Sequence, residues 1–154
     1  MNTITKFWSD FQEKNPQFKN HKEPPYYYFC DNKEDADYCL NLVLKDIKRA
    51  TASSLWWFKK HNEELPKVRD LAIITDWEGK PFAITKVTAV NLKAYNEVDR
   101  NFAFREGEGD KSLEYWRKVH WAYYGREMAP FNESPTEDMI IVCEEFETIY
   151  KLSN

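Results

Sequence analysis

DIKRATASSLWWFKKH, residues 46–61, is the stretch on which the fold turns. It places Lys48, Arg49, Thr51, Ser53 and Ser54 together, then runs directly into Leu55, Trp56, Trp57 and Phe58. KRATAS reads as a strand and SSLWWFKKHNEE as a short helix ended before Pro66. In a straight strand residues 48 and 51 point to opposite faces, whereas Thr51 and Ser53 share one. Lys48 therefore approaches Thr51 only from a turn that precedes the strand. The stretch also lies in the basic part of the chain, since residues 41–70 hold seven Lys or Arg against four acidic residues.

The neighbouring segments set an α+β pattern. Upstream, Ile4, Phe7, Trp8 and Phe11 recur at helical spacing until Pro16. PPYYYFC (24–30) reads as extended, and Asp31 or Asn32 can cap a helix over about 34–45 with Ala36, Leu40, Val43 and Leu44 on one face. Downstream, LAIITD (71–76) and PFAITKVTAV (81–90) flank WEGK and predict a hairpin. Residues 97–105 and 112–128 suit helices, and 139–152 suits a last strand. The order α, α, β, β, β, α, β predicts a domain built on a small, mostly antiparallel sheet or barrel.

Bulk properties narrow the classes. A chain of 154 residues fits one domain, and 42% hydrophobic with 31% charged residues describes a globular protein. A net charge of −4 argues against indiscriminate binding to nucleic acid, while leaving room for a local basic groove. Cys30, Cys39 and Cys143 are odd in number and form no C-x-x-C pair, as expected of reduced thiols. The N-terminus is not patterned as a signal peptide, and no apolar run approaches the roughly 20 residues of a membrane span. A soluble, cytoplasmic protein is the expectation, with no cofactor, metal, membrane or DNA partner and a homo-oligomer left open.

Two stretches can carry chemistry. A hydroxyl such as that of Thr51 becomes a nucleophile when a base takes its proton, and a lysine serves if its pKa is lowered; Arg49 beside Lys48 pushes in that direction. The competing interpretation is an exposed basic edge strand. FREGEGDKS (104–112) holds Gly107 and Gly109, half of the four glycines, with Glu106, Glu108 and Asp110. Such a turn lets a ligand approach the backbone, and its carboxylates can act as general acid or base or accept from a base edge. Asp110 or Ser112 also suits a helix cap, and an acidic surface turn is the alternative. Arg117 at the twelfth position argues against a calcium loop. Most of the WWF triplet, and the Leu113, Trp116, His120, Tyr123 face, are expected in the core. His21, His61 and His120 show no metal-ligand spacing.

NLVLKDIKRATASS, LPKVRDLAIITD, NFAFREGEGDKSLEYWRKVHWAYY and CEEFETIY, in that order, resemble the ASCH family, and within it a subgroup of small single-domain bacterial members. The resemblance runs from about Tyr26 to Tyr150 and implies a PUA-like fold, a small β-barrel flanked by helices, with 1–25 as an N-terminal helical extension of one domain spanning 1–154. The family pattern G-x-K-x-x-[small or acidic]-x-R places its Lys on Lys48 and its small residue on Thr51. Asp46 stands where Gly is usual and Ser53 where Arg is usual; Arg69 replaces the Gly of a usual P-x-x-G-D turn.

The resemblance implies one of three activities: amide hydrolysis of N4-acetylcytidine by a Lys, a Thr and a Glu, ribonuclease action through the motif Lys on single-stranded RNA, or RNA binding alone. By position the first implies Lys48, Thr51 and Glu108 as a metal-independent catalytic trio, with Lys48 deprotonating Thr51. Arg49, Ser53, Trp56, Arg105 and Asp110 are then the expected contacts to a nucleoside or short RNA.

Overall fold

The computed structural model describes residues 2–152. Five α-helices and five strands follow one another along them. They are α1 (Thr3–Lys14), β1 (Tyr26–Tyr27), α2 (Lys33–Leu44), β2 (Ala50–Ser54), α3 (Leu55–Lys60), β3 (Leu71–Thr75), β4 (Pro81–Ala94), α4 (Arg100–Glu106), α5 (Leu113–Met128) and β5 (Ile140–Lys151). Side-chain caps start the helices as their sequences require. Asn32 accepts from Asp35 N at 2.9 Å, and Ser112 from Tyr115 N at 3.0 Å. Ser54, the last residue of β2, accepts from Trp57 N at 3.1 Å, so one hydroxyl ends the strand and begins the helix.

The strands form one sheet in the order β1-β3-β4-β5-β2. All neighbours are antiparallel except β1 and β3. The α+β class and the flanking helices match expectation, but the sheet is not closed into a barrel. Each edge strand, β1 and β2, has a single strand partner, and the chain order leaves them at opposite margins. The 14-residue β4 pairs with β3 through its first half and with β5 nearly throughout, with irregular register near Ile84 and Val87.

Three apolar clusters fill the molecule. Ile4, Phe7, Trp8 and Phe11 of α1 cover Ile73 and Ile84 on one face of the sheet. Cys39, Leu40 and Val43 of α2 pack with Ile74 and Ala83 on the other. Alternation along β3 sends Ile73 and Ile74 to these opposite faces. Phe102, Trp116 and Tyr124 from α4 and α5 pack on Ala50, Ala52, Ile141 and Cys143. The three thiols are free, although the Sγ atoms of Cys30 and Cys39 lie 3.6 Å apart.

Two departures from the family pattern now have a geometric meaning. Asp46 sits at φ 58° and Arg69 at φ 83°, the left-handed region that glycine enters without cost. The turns require the conformation whatever residue occupies them. Asp46 is additionally tied to Lys151 by an ion pair of 2.6 Å.

Candidate active site

The backbone leading into β2 is held from three sides. Lys48 N donates to Leu42 O of α2 at 3.1 Å, and Arg49 N to Arg105 O of α4 at 2.8 Å. Arg49 O accepts from Phe146 N of β5 at 3.0 Å. Lys48 thus lies in the turn ahead of the strand, and its side chain runs inward, 2% exposed. Its Nζ donates to Ala50 O at 2.8 Å, Glu106 Oε2 at 2.8 Å and Glu108 Oε2 at 3.0 Å. It also stands 5.0 Å from the centre of the Phe29 ring. All three ammonium protons are committed.

The acids converge because of Gly107. It ends α4 in the left-handed conformation, φ 74°, and a Cβ there would lie 2.5 Å from the Ile47 carbonyl oxygen. On a continuing helix, residues 106 and 108 would point apart; the reversal aims both carboxylates at one ammonium. Glu106 Oε1 accepts from Trp116 Nε1 at 2.9 Å and faces His120 Nε2 at 3.0 Å. His120 Nδ1 lies 2.8 Å from the Trp116 carbonyl oxygen. A carbonyl and an ionised carboxylate only accept, so two acceptors facing the two ring nitrogens favour the imidazolium form of His120.

The electrostatics agree with that hydrogen-bond logic. Burial works against the Lys48 charge, but Glu106 and Glu108 outweigh it and hold the ammonium well above its usual pKa of 10.5. Burial likewise opposes ionisation of Glu106, and Lys48 and His120 overcome it to keep the carboxyl well below the ordinary range. His120 is raised, the cost of burial being exceeded by Glu106. Glu108 goes the other way: burial and the neighbouring Glu106 raise it despite Lys48. One carboxyl is therefore a fixed anion and the other holds a proton more readily.

This cluster forms one end of a cleft of about 920 Å³, a size suited to a small organic ligand. Thr51, Ser53 and Glu144 line it from β2 and β5, and Tyr115, Val119 and Tyr123 line it from α5. Unlike Ser54, whose hydroxyl caps α3, Thr51 and Ser53 take no side-chain partner among the described residues. Eight Asp and Glu line the cleft with four Lys and Arg and His120, and burial raises the pKa of three of the acids, Glu108, Glu127 and Glu144, so the lining is carboxyl-rich and of mixed charge.

The structure brings Lys48, Thr51, Ser53 and Glu108 to this cleft and leaves the other expected contacts outside it. Arg49 is exposed. Arg105 pairs with Glu145 at 2.9 Å, Asp110 accepts from Ser112 N at 2.9 Å, and Trp56 Nε1 donates to Glu133 at 3.0 Å. The aromatic triplet expected in the core is half-buried, and Trp57 and Phe58 border the cleft instead. Lys48 is not the lowered-pKa base that Arg49 was expected to make of it, because two carboxylates, and not Arg49, surround its amine. His120, expected as core, is indeed buried but is bonded into the charge cluster. Glu106 and His120, separated by fourteen positions, had no spacing signal to unite them. Glu106, Glu108 and His120 do offer ligand atoms within 4.8 Å of one another. A metal ion there would compete with the Lys48 ammonium, which already bridges the two carboxylates.

An α+β sheet with a charged, ligand-sized cleft beside a left-handed glycine turn defines the class. The ASCH domain pattern matches residues 25–150, and the chain belongs to that family, a PUA-like fold family often linked to RNA binding. The crystal structure of an ASCH domain from Lactobacillus crispatus is similar at 33% identity, with a TM-score of 0.90, covering 96% of this chain and 94% of that one. A protein from Enterococcus faecalis is similar at 32% identity and a TM-score of 0.88, covering 96% and 88%. Comparison with curated proteins finds no match.

Proposed function

We propose that this ASCH domain hydrolyses the amide of an N-acylated nucleoside of the N4-acetylcytidine type, with Thr51 as nucleophile. The observation that carries this reading is the Thr51 hydroxyl, open to the cleft and without a side-chain partner among the described residues, in the same cleft as a carboxyl biased toward protonation. Attack of Thr51 Oγ on the acyl carbon forms an ester as the C–N bond breaks, and Glu108 supplies the proton that the departing amine needs. Water then hydrolyses the ester. Lys48 serves as the fixed cation that aims Glu106 and Glu108, a positioning role suited to an amine with no free lone pair.

The carboxyl-rich lining of mixed charge favours an uncharged nucleoside over a polyanion, since it offers no continuous basic track for the phosphates on which RNA affinity rests. The same fact weakens both alternatives, ribonuclease action through Lys48 and RNA binding without turnover. The test is acetate release from N4-acetylcytidine by wild type and Thr51→Ala. Wild-type turnover with loss of about 10²–10⁴-fold in the variant is expected. Equal rates, or an inert wild type, overturn the reading. Salt-sensitive binding of a short RNA by an inert wild type would instead select the binding module.

A further inference from the structure

With Lys48 fully protonated, the proton of Thr51 still needs a destination, and the sheet supplies one. Thr51 and Glu144 are direct partners in the antiparallel β2–β5 ladder. Side chains of directly opposed residues rise from the same face, with Cβ atoms ~4.5–5.5 Å apart. Their flanking pair, Ala52 and Cys143, points the other way into the core, while Thr51 and Glu144 both face the cleft. Glu144 is half-buried, and no hydrogen bond of its side chain to another described residue holds it in place. The two carboxylates beside Lys48 do have such partners: Glu106 has Trp116 and His120, and Glu108 has Lys48.

We infer that Glu144 is a further catalytic residue, the general base that takes the Thr51 proton. This rests on the hydrolase reading above. The protons then balance around the cycle. Thr51 gives its proton to the Glu144 carboxylate as its oxygen bonds to the acyl carbon, and Glu108 gives its proton to the nitrogen as the C–N bond breaks. In the second half, Glu108 takes a proton from water as that oxygen attacks the ester. Glu144 returns its proton to the Thr51 oxygen as the C–O bond breaks, leaving amine, carboxylic acid and the starting enzyme.

The surroundings of Glu144 tune it for this exchange. Burial, reinforced by Asp70 from the turn before β3 and opposed by Lys48, pushes its pKa up to about 7. Tyr27 of β1 lies near enough for the Glu144 charge to raise its phenol further. A base whose pKa lies near neutrality combines the ionised form with a useful affinity for the proton.

The experiment measures kcat and kcat/KM of wild type, Glu144→Gln, Glu144→Asp and Thr51→Ala on N4-acetylcytidine from about pH 5 to about pH 9. Wild-type kcat/KM is expected to rise with pH along an acid limb centred near 7, as Glu144 ionises. Glu144→Gln, matched in shape, loses about 10²–10⁴-fold in kcat and loses that limb. Glu144→Asp keeps the limb at reduced rate. Circular dichroism and thermal melting establish that the variants are folded. An active wild type with an equally active Glu144→Gln, or a slow Glu144→Gln that retains the acid limb, overturns the base assignment while leaving Thr51 as nucleophile. A wild type that releases no acetate overturns the hydrolase reading and the base with it.

Discussion

The two halves of the cleft are built on opposite principles. Around Lys48, every proton of the ammonium has an acceptor, and Glu106, Trp116 and His120 complete one another's hydrogen bonds. On the neighbouring strands, Thr51 and Ser53 of β2 and Glu144 of β5 face the same space without comparable side-chain partners among the described residues. The first region uses its polar groups to fix geometry; the second leaves them available to a ligand. Buried charge in this fold is thus evidence of positioning, and the unpaired polar face beside it is where chemistry is to be sought.

The sharpest way to break the contrast is to remove an anchor from the saturated half. Glu106→Leu leaves two buried cations without their shared anion, and is expected to cost about 3–5 kcal/mol in denaturant unfolding. Thr51→Ala is expected to change stability far less, and comparable losses would erase the distinction. Next in size is Gly107→Ala. The left-handed φ alone costs about 1–2 kcal/mol, and contact with the Ile47 carbonyl adds to it. A melting temperature equal to wild type would show that the turn can relax.

A pH titration sharpens the contrast from the open half. The folded pKa of Glu144 is raised from 4.5 to about 7, so the fold favours its protonated form. Its stabilising contribution is full below about 4.5 and is lost as pH rises through about 7. Glu144→Gln is therefore expected to melt above wild type at mildly alkaline pH and to match it in acid, as happens when a functional group is kept at a cost in stability. A constant difference across pH would contradict this. The smallest effect is expected at Arg69→Gly, far from both halves in role. Relief of a left-handed φ outweighs the added freedom of glycine by about 1 kcal/mol or less.

Most of the fold was legible because its signals are local. The Ile4, Phe7, Trp8, Phe11 stripe, the capping Asn32 and Ser112, and the hairpin around WEGK all act within a few residues. What a single chain pattern cannot express is closure: whether the last strand meets the first depends on strand order, and here β1 and β2 end on opposite margins. The site divides in the same way. Lys48, Thr51 and Glu108 stood out by residue type and family position. His120 looked like a core residue because its helical face is apolar, and only the return of α5 past Glu106 reveals its charge partner. Glu144 was hidden in a strand whose alternation satisfied the eye, and its importance appears only when Thr51 is seen across the ladder from it.

Gly107 gives this arrangement an inherited rigidity. Every amino-acid replacement that one nucleotide change can make in a glycine codon introduces a side chain, and the Ile47 backbone leaves no room for one. A lineage drifting through sequence space thus meets no neutral step at this position. The spacing of the two acids passes intact from parent to descendant or is lost in a single event.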